Sequence, residues 1–187
     1  MVSSQSSRGK FPIQKLVNDE LTELLLAAQD GDRVALSAWI KRSQGEVWRL
    51  CAQLVSRELA DDVTQEVFLR AYRALPAFRG DSSARTWLLS IARRTCADAV
   101  RDLRRRRKLA TKFERPTYEP DPARLVSVEA LLSGLDPERK LAFVLTQVVG
   151  LSYQEAADIC DCPVGTIRSR VARARADLLA RLGEATV

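Results

Sequence analysis

Apolar side chains recur at three- and four-residue intervals along most of this chain, which is the spacing of one face of an α-helix. Alternating runs of β-branched residues, which would indicate strands, are almost absent. The helical spacing is lost within residues 104–122, a basic and proline-containing segment. The pattern therefore predicts an all-α fold of two small helical domains, residues 18–103 and 123–187, joined by a flexible linker, with a disordered tail over residues 1–17.

The first predicted domain opens with three helices. Leucines at helical spacing indicate a first helix from about residue 18 that ends at Gly31, and Asp32 can cap a second. A separate third helix is predicted around Val47. Bulky apolar residues at these spacings usually face the core, so the pattern predicts burial of Val34, Trp39 and Trp48.

A fourth predicted helix, residues 60–72, carries an acidic cluster beside its apolar stripe. Val63, Val67 and Tyr72 can face inward, which leaves carboxylates and an amide on the outer face. The members of this acidic cluster are Asp61, Asp62, Gln65 and Glu66. Surface helices usually mix their charges, so the cluster indicates either a docking face for a basic partner or simple solvation.

A loop and a basic helix follow the acidic helix. The loop, residues 78–83, holds small and polar residues around Phe78, and the helix predicted from about Ala84 has arginines along its exposed side. These arginines are Arg85, Arg93, Arg94 and Arg101. Because aromatic rings stack on flipped bases and arginines bind the backbone, the two elements together are suited to holding an unpaired nucleic-acid strand.

Residues 151–175 predict two short helices with a tight break, the arrangement of a helix-turn-helix. Ser152 and Glu155 can form a capping box for the first helix, and Pro163 stands where the second would begin. The polar residues on the outer side of the second helix are Arg168, Ser169, Arg170, Arg173 and Arg175. Such a face indicates a reader of the DNA major groove, and the alternative is a solvated arginine face on an ordinary helical hairpin.

The distribution of charge favours the nucleic-acid interpretation. The chain has a net charge of +6, and residues 101–115 alone contain eight basic and two acidic residues. Focused basic segments on a near-neutral body are typical of a protein with a polyanionic partner. Histidine is absent, which removes the commonest general base and metal ligand, so we expect no metal site and no cofactor.

Cysteine usage and hydropathy predict a cytoplasmic protein. Cys160 and Cys162 form a C-x-C pair that lacks zinc-ligand spacing. We interpret them, together with Cys51 and Cys96, as reduced helix residues, with redox sensing as the alternative. No segment reaches the roughly 18 apolar residues that a spanning helix needs, so membrane insertion is not expected.

Two blocks of the sequence carry a resemblance to a known family. The first is DDVTQEVFLRAYRALPAFRGDSSARTWLLSIARR, and the second is LDPERKLAFVLTQVVGLSYQEAADICDCPVGTIRSRVARAR. In this order and at this separation they resemble the extracytoplasmic-function (ECF) subfamily of sigma-70 family transcription initiation factors. The resemblance implies an alternative, non-catalytic specificity subunit that binds core RNA polymerase, recognises the minus-ten and minus-thirty-five promoter elements and directs initiation.

The resemblance also implies roles for residues of the first domain. The residues that match the face docking on the clamp helices of the polymerase β′ subunit are Asp61, Asp62, Gln65 and Glu66. The residues that match the part reading the minus-ten element are Phe78, Arg79, Ser82, Ser83, Leu89, Arg93 and Arg94. Phe78, Leu89 and Arg94 stand at the positions of a pocket for a flipped base. Some relatives carry Asn in place of Arg94 and an aromatic residue in place of Leu89, a departure that bears on the preferred base.

In the second domain the resemblance implies contacts with the minus-thirty-five element and with the polymerase β flap. Arg168, Ser169 and Arg173 match residues that face bases or adjacent phosphates, and Arg170 and Arg175 match phosphate contacts. The linker would pass through the polymerase toward the RNA exit channel. An anti-sigma protein that holds the factor inactive is common in the family, although no motif in this chain identifies one.

Two other classes of protein are the alternatives. A stand-alone DNA-binding regulator could use residues 151–182 without polymerase, but the acidic cluster would then have no explanation. An enzyme is the weaker alternative, because the chain has no histidine, metal-ligand spacing, phosphate-binding glycine loop or nucleophile elbow to which a reaction could be assigned.

Overall fold

Helices account for the regular secondary structure of this computed structural model, which describes residues 19–110 and 128–184. They are α1 (Glu20–Gln29), α2 (Arg33–Leu54), α3 (Arg57–Ala74), α4 (Ala84–Ala110), α5 (Val128–Ser133), α6 (Pro137–Phe143), α7 (Tyr153–Cys160) and α8 (Val164–Glu184). A 3-10 turn, Leu75–Ala77, follows α3, and a π-helical turn, Val144–Val148, continues α6. The all-α prediction is confirmed. The predicted tail and residues 111–122 of the predicted linker lie outside the described residues. Residues 104–110 continue α4, so the predicted start of the linker at residue 104 is wrong.

Helices begin at the capping residues that the sequence predicts. Asp32 Oδ1 accepts hydrogen bonds from the amides of Val34 and Ala35, at 2.8 and 3.0 Å. At α7 the capping box is complete, because Ser152 Oγ accepts from the Glu155 amide and Glu155 Oε2 accepts from the Ser152 amide. Such caps satisfy amides that the helix itself leaves unpaired, so they fix the residue at which the helix begins.

A single helix, α2, replaces the two helices that the sequence predicts between Asp32 and Leu54, so the break expected before Val47 is wrong. Ser43 is buried within α2 and donates its hydroxyl to the Trp39 carbonyl at 2.7 Å, so this polar residue needs no break in the helix. A mid-helix glycine, Gly45, costs only about 1 kcal/mol relative to alanine. Packing of the apolar face on the core offsets that cost.

Tertiary packing also overrides the predicted burial of three side chains. Val34 is 78% exposed and Tyr72 is 61% exposed, so both were wrongly assigned to the core. The buried stripe of α3 ends at Ala71, and the following residue points about 100° away from it. Trp48 is half-buried at the edge of the domain, whereas Trp39 is fully buried as predicted.

In the second domain α8 packs against both α6 and α7, which forms the predicted helix-turn-helix. Asp161, between α7 and α8, has φ 53°, a left-handed conformation that a short polar side chain tolerates better than most. Pro163 precedes α8 rather than opening it, and its carbonyl accepts from the Thr166 amide at 2.8 Å. The predicted inner residues Ile167 and Val171 are buried.

The two domains pack on each other. Helix α4 contacts α7, and α2 contacts the π-helical turn Val144–Val148. Buried residues of both domains form one continuous hydrophobic cluster. We call this the packed arrangement, and it determines which candidate interface residues are accessible.

Candidate partner and nucleic-acid interfaces

The acidic cluster lies on the outer face of α3. Asp61 Oδ1 accepts a hydrogen bond from the Trp48 indole at 2.8 Å, which ties this carboxylate to α2. Glu66 pairs with Arg70 one turn further along, with 2.7 Å between Oε1 and Nε. The remaining members of the cluster, both exposed, are Asp62 and Gln65. The structure therefore brings all four predicted residues to one surface, but two of them already have partners within the domain.

The same face of α3 continues with two exposed apolar side chains that the sequence analysis did not include. Leu69 is 51% exposed and Tyr72 is 61% exposed. Together with Asp62 and Gln65 they succeed one another at intervals of three, four and three residues, so all four share one face of the helix. We call these four residues the α3 stripe. Their spacing was visible in the sequence, and only the inward assignment of Tyr72 concealed it.

Arg70 links the acidic face of α3 to the basic helix α4. Its NH1 lies 2.6 Å from Asp98 Oδ2, and Asp98 also pairs with Arg101. The Arg70 guanidinium, and then that of Arg101, lowers the pKa of the Asp98 carboxyl below its ordinary value. Hydrogen bonds to Asp98 and Glu66 raise the pKa of Arg70. These contacts hold α3 and α4 in a fixed relation, with a balanced set of charges between them.

The aromatic residue of the candidate minus-ten loop lies in the core. Phe78 is 5% exposed, and its ring centroid is 5.1 Å from that of Trp87, at an interplanar angle of 57°. Leu89, on α4, is 1% exposed. Neither side chain can contact a base in the packed arrangement, so a base-binding role requires that the loop or the domains rearrange.

The polar residues of the same loop remain nearer the surface. Arg79 is exposed, and Ser82 and Ser83 are half-buried. Ser83 Oγ accepts from the Thr86 amide at 3.1 Å and so caps the start of α4. The loop therefore combines an exposed cation with hydroxyls that lie close to the first turn of the basic helix.

Two predicted minus-ten residues of α4, Arg93 and Arg94, differ in accessibility. Arg94 is exposed. Arg93 is half-buried, and its NH1 donates to the Ile159 carbonyl of α7 at 3.2 Å. One of the two guanidiniums is thus bound to the second domain in the packed arrangement.

Arg85 was expected on the exposed side of α4, and the structure corrects this assignment. Its Nε lies 3.0 Å from Glu46 Oε1 on α2, and the Glu46 side chain is only 15% exposed. Its NH2 donates to the Val149 carbonyl at 3.2 Å, and its NH1 is 3.8 Å from Glu155 Oε1. The hydrogen bond with Glu46 raises the pKa of Arg85. Arg85 therefore joins the first domain to the second instead of facing solvent.

The outer face of α8 holds the most accessible group of predicted DNA-binding residues. Arg168, Ser169 and Arg173 are exposed, on the side opposite the buried Ile167. Ser169 Oγ donates to the Thr166 carbonyl at 2.9 Å, which leaves its oxygen lone pairs available as acceptors. Two guanidiniums and a hydroxyl on the second helix of a helix-turn-helix can reach base edges and phosphates in a major groove.

Two further arginines of α8 are engaged with neighbouring helices. Arg170 pairs with Glu138 on α6, and its NH1 also lies 3.7 Å from Cys162 Sγ. The expectation that Arg170 faces outward is therefore wrong, because its side chain is only 21% exposed. Arg175 is exposed, and its NH2 donates to Gln147 Oε1 at 2.8 Å.

The cysteines are free thiols, and the described residues contain no group of three or more His, Cys, Asp or Glu that could hold a metal ion. Burial raises the pKa of Cys160 to about 11, so this thiol stays protonated and weakly nucleophilic near neutral pH. Cys51 and Cys96 are buried, with 3.6 Å between their Sγ atoms. Within the described ranges, no helix is both long and apolar enough to cross a membrane.

Comparison with known families agrees with this arrangement of surfaces. A family model described as Sigma-70 region 2 matches residues 39–106, which include α3, the loop and nearly all of α4. A second, Sigma-70 region 4, matches residues 125–178, which include the helix-turn-helix. The α3 stripe and the exposed arginines of α8 thus fall in separate matched regions.

Curated relatives match over most of their length. The chain is 48% identical over 170 residues to the ECF RNA polymerase sigma factor SigC of Mycobacterium tuberculosis, covering 87% of this chain and 91% of that protein. It is 35% identical over 178 residues to the ECF RNA polymerase sigma-E factor of Escherichia coli, covering 85% and 93%.

Two solved structures share the fold. One is CnrH in complex with the cytosolic domain of CnrY, with a TM-score of 0.70 and 27% identity, covering 89% of this chain and 99% of CnrH. The other is the sigma factor RpoE of Bartonella quintana in complex with the anti-sigma factor NepR, with a TM-score of 0.66 and 26% identity, covering 79% and 96%. The chain belongs to the ECF subfamily of sigma-70 family RNA polymerase sigma factors, and it is an alternative sigma factor that directs transcription initiation.

Proposed function

We propose that this sigma factor binds core RNA polymerase through the α3 stripe and reads promoter DNA through α8 and through the loop that precedes α4. The observation that carries the proposal is the presence of two exposed surfaces of opposite character. The α3 stripe combines Asp62 and Gln65 with exposed apolar side chains, whereas α8 presents Arg168 and Arg173. A surface that mixes acidic and large apolar groups fits a protein partner, and an arginine face on a helix-turn-helix fits a duplex.

Specificity for the minus-thirty-five element would come from α8. An arginine can donate two hydrogen bonds to guanine O6 and N7, and each such pair discriminates against a wrong base by about 1–3 kcal/mol. Arg168 and Arg173 are the candidates for such pairs, with Ser169 as a further base or phosphate contact. Arg175, which is exposed at the edge of the same face, is the candidate for a phosphate contact.

Opening of the duplex would be the work of the first domain. The loop holding Phe78 and Arg79, with Arg93 and Arg94 on α4, would supply an aromatic ring and cations for an unpaired strand. Phe78 must first leave its packing on Trp87, and Arg93 its hydrogen bond to α7. Capture of a flipped base offsets the few kcal/mol lost when it leaves the stack, so binding energy drives melting. The chain makes and breaks no bond in this scheme; it acts in the cytoplasm as a specificity subunit of an enzyme that does.

Run-off transcription with core polymerase tests the proposal. Core enzyme is incubated with a library of promoter-like duplexes, with and without this protein, and the transcripts are sequenced. We expect transcripts that depend on the added protein, and their upstream sequences will define both promoter elements. Failure to bind core polymerase, together with tight duplex binding by the protein alone, would instead identify a stand-alone regulator.

Variants on α3 test the polymerase surface. We expect Asp62→Ala and Gln65→Ala each to weaken core binding about tenfold or more, as central contacts of protein interfaces do. Glu23→Ala removes an exposed carboxylate from α1 and is the charge-matched control, for which we expect little change. Binding of labelled protein to core polymerase is the measurement. Equal losses in Glu23→Ala and Asp62→Ala, with no loss in the neutral Gln65→Ala, would show that only overall charge matters.

We also propose that an anti-sigma protein is a natural partner. Support comes from the two similar solved structures, one of which contains an anti-sigma factor by name and the other the cytosolic domain of CnrY. Such a protein would inhibit by covering the α3 stripe or the DNA-facing surfaces. Proteins captured from the native cell with the immobilised chain can be tested for competition with core polymerase, and a captured protein that leaves polymerase and DNA binding unchanged is not an anti-sigma protein.

A further inference from the structure

Helix α1 holds both ends of the loop that connects α3 to α4. At the first end, Gln29 Nε2 lies 3.1 Å from the Leu75 carbonyl oxygen, 3.2 Å from that of Pro76 and 3.0 Å from that of Phe78. A side-chain amide has two N–H donors, so the three carbonyls share them. These carbonyls follow the end of α3, and the Leu75 carbonyl also accepts from the Phe78 amide at 3.0 Å in the 3-10 turn. The Gln29 amide nitrogen therefore binds three backbone carbonyls at the start of the loop and holds them close together.

At the second end, Thr22 receives the first amide of α4. The Ala84 N–H donates to Thr22 Oγ1 at 2.8 Å, and both residues are fully buried. The Thr22 hydroxyl in turn donates to Asp19 Oδ2 at 3.0 Å, and the Thr22 amide donates to Asp19 Oδ1 at 2.8 Å. This short relay fixes the rotation of the hydroxyl, so that its lone pairs point at the Ala84 amide.

The two anchoring residues stand seven positions apart on one rigid element. Seven residues make about two turns of helix and about 10 Å of rise, so Thr22 and Gln29 lie on the same side of α1. Helix α1 therefore sets the separation between the start and the end of the loop. Between these anchors stand Arg79, Ser82 and Ser83, the polar residues of the loop that we propose for the minus-ten element. The buried Phe78 is itself held at the first anchor through its carbonyl.

We infer that Gln29 and Thr22 are positioning residues for promoter melting: α1 holds the two ends of the loop in place, so that the polar residues between them meet the unpaired minus-ten strand. Neither residue lies in the segment matched by the region 2 family model, which begins at residue 39. The inference rests on the proposed role of the loop. It adds that affinity for the unpaired strand depends on an element that carries none of the residues proposed to contact DNA or polymerase.

Strand capture can be separated from folding with variants that keep the shape of α1. Gln29→Glu keeps the size of the side chain but replaces the two donors with a carboxylate facing carbonyl oxygens. Thr22→Val is isosteric and removes the acceptor for the Ala84 amide, whereas Thr22→Ser retains the hydroxyl. Gln44→Ala, which removes an exposed amide from α2, is the matched control.

The measurement uses holoenzyme assembled from core polymerase and each full-length variant. The probe is a fluorescent single strand that carries the non-template minus-ten segment of the strongest promoter found by run-off transcription. We expect Gln29→Glu and Thr22→Val to weaken binding of this strand about tenfold, because each variant loses the hydrogen bonds that hold one end of the loop. Affinity for core polymerase and for a minus-thirty-five duplex should stay within about twofold of the wild type, and Thr22→Ser and Gln44→Ala should bind the strand normally.

Two outcomes would overturn the inference. In the first, Gln29→Glu and Thr22→Val lower the melting temperature of the protein but bind the strand as the wild type does, which makes α1 a stabilising element only. In the second, both variants lose core, duplex and strand binding in equal proportion, which indicates general loss of the fold. If wild-type holoenzyme forms no open complex on any promoter, the proposed function fails instead, a result visible before any variant is made.

Discussion

The side chains that we propose for DNA binding are held very differently in the two domains. On α8, Arg168 and Arg173 are exposed. In the first domain, Arg93 donates to the Ile159 carbonyl of α7, and the Phe78 ring is buried against Trp87. Helix α8 can therefore meet a duplex as it stands, whereas the minus-ten surface must first give up contacts within the chain. In the free protein the proposed minus-thirty-five surface is exposed, whereas part of the proposed minus-ten surface is buried or bound within the chain.

The largest effect should follow from removing the exposed arginines of α8. We expect Arg168→Ala combined with Arg173→Ala to weaken binding to a minus-thirty-five duplex about 100-fold, because each bidentate contact contributes about 1–3 kcal/mol. Fluorescence anisotropy at fixed salt concentration measures this affinity. Arg33→Ala combined with Arg49→Ala removes two exposed arginines from α2 and controls for net charge. If the control loses as much affinity as the α8 variant, the exposed face of α8 is not the reading surface.

A smaller effect should follow from removing Arg85, which joins the first domain to the second. Arg85→Met keeps an unbranched side chain but leaves the mostly buried Glu46 carboxylate and the Val149 carbonyl without this donor. We expect unfolding free energy to fall by about 1–3 kcal/mol, the usual cost of a buried polar group without its partner. Small-angle X-ray scattering should show a larger radius of gyration, and the minus-ten strand should bind the free variant more tightly than the free wild type.

The control for this variant is Arg42→Met. Arg42 pairs with Glu20 at 2.8 Å, but both side chains are largely exposed, so we expect a change of about 0.5 kcal/mol or less. An unchanged radius of gyration for Arg85→Met would mean that Arg85 stabilises the first domain without holding the domains together.

The smallest effect concerns Asp98 on α4, which pairs with Arg70 of α3 and with Arg101 of α4. The pKa of Asp98 is lowered in the folded protein, so the ionised carboxylate stabilises the fold at pH values above its unfolded pKa of about 3.9. This stabilisation is lost as the pH falls through the lower folded pKa. Because the side chain is 37% exposed, we expect Asp98→Asn to cost less than about 1 kcal/mol at pH 7.

Denaturant unfolding of wild type and Asp98→Asn over a pH series measures this difference. We expect the difference to shrink as the pH falls below about 4, where the unfolded chain takes up the proton, and to vanish below the lower folded pKa, where the wild-type carboxyl is neutral in both states. A difference that stays constant over the series would assign the effect to packing rather than to the ion pairs with Arg70 and Arg101.

What the sequence could predict depended on how far apart the interacting residues stand along the chain. The capping box of Ser152 and Glu155 spans three residues, so the pattern alone was sufficient to place the start of α7. The partners of Arg85 and Arg170 are Glu46 and Glu138, which lie 39 and 32 residues away in the sequence. Helical periodicity predicts which face of its helix an arginine lies on. It cannot show that a carboxylate of another helix lies within hydrogen-bonding distance of that arginine.

The same reasoning explains the errors in burial. Val34 and Tyr72 are apolar or aromatic and stand near apolar stripes, yet no helix of the described chain covers them. Whether a stripe is covered is decided by packing between helices, which periodicity does not contain. Apart from Arg170, the predicted residues of α3 and α8 lie on exposed faces, and their roles in binding polymerase and promoter DNA stay predictions.

The continuous hydrophobic cluster shared by the two domains has a consequence for gene expression. A partner that needs the domains apart binds only the open fraction of molecules, so its apparent Kd equals the intrinsic Kd divided by that fraction. If the contact favours the packed arrangement by about 1.4 kcal/mol, apparent affinity falls about tenfold. Substitutions in that contact, at residues that touch neither polymerase nor DNA, would then scale the output of every dependent promoter by the same factor.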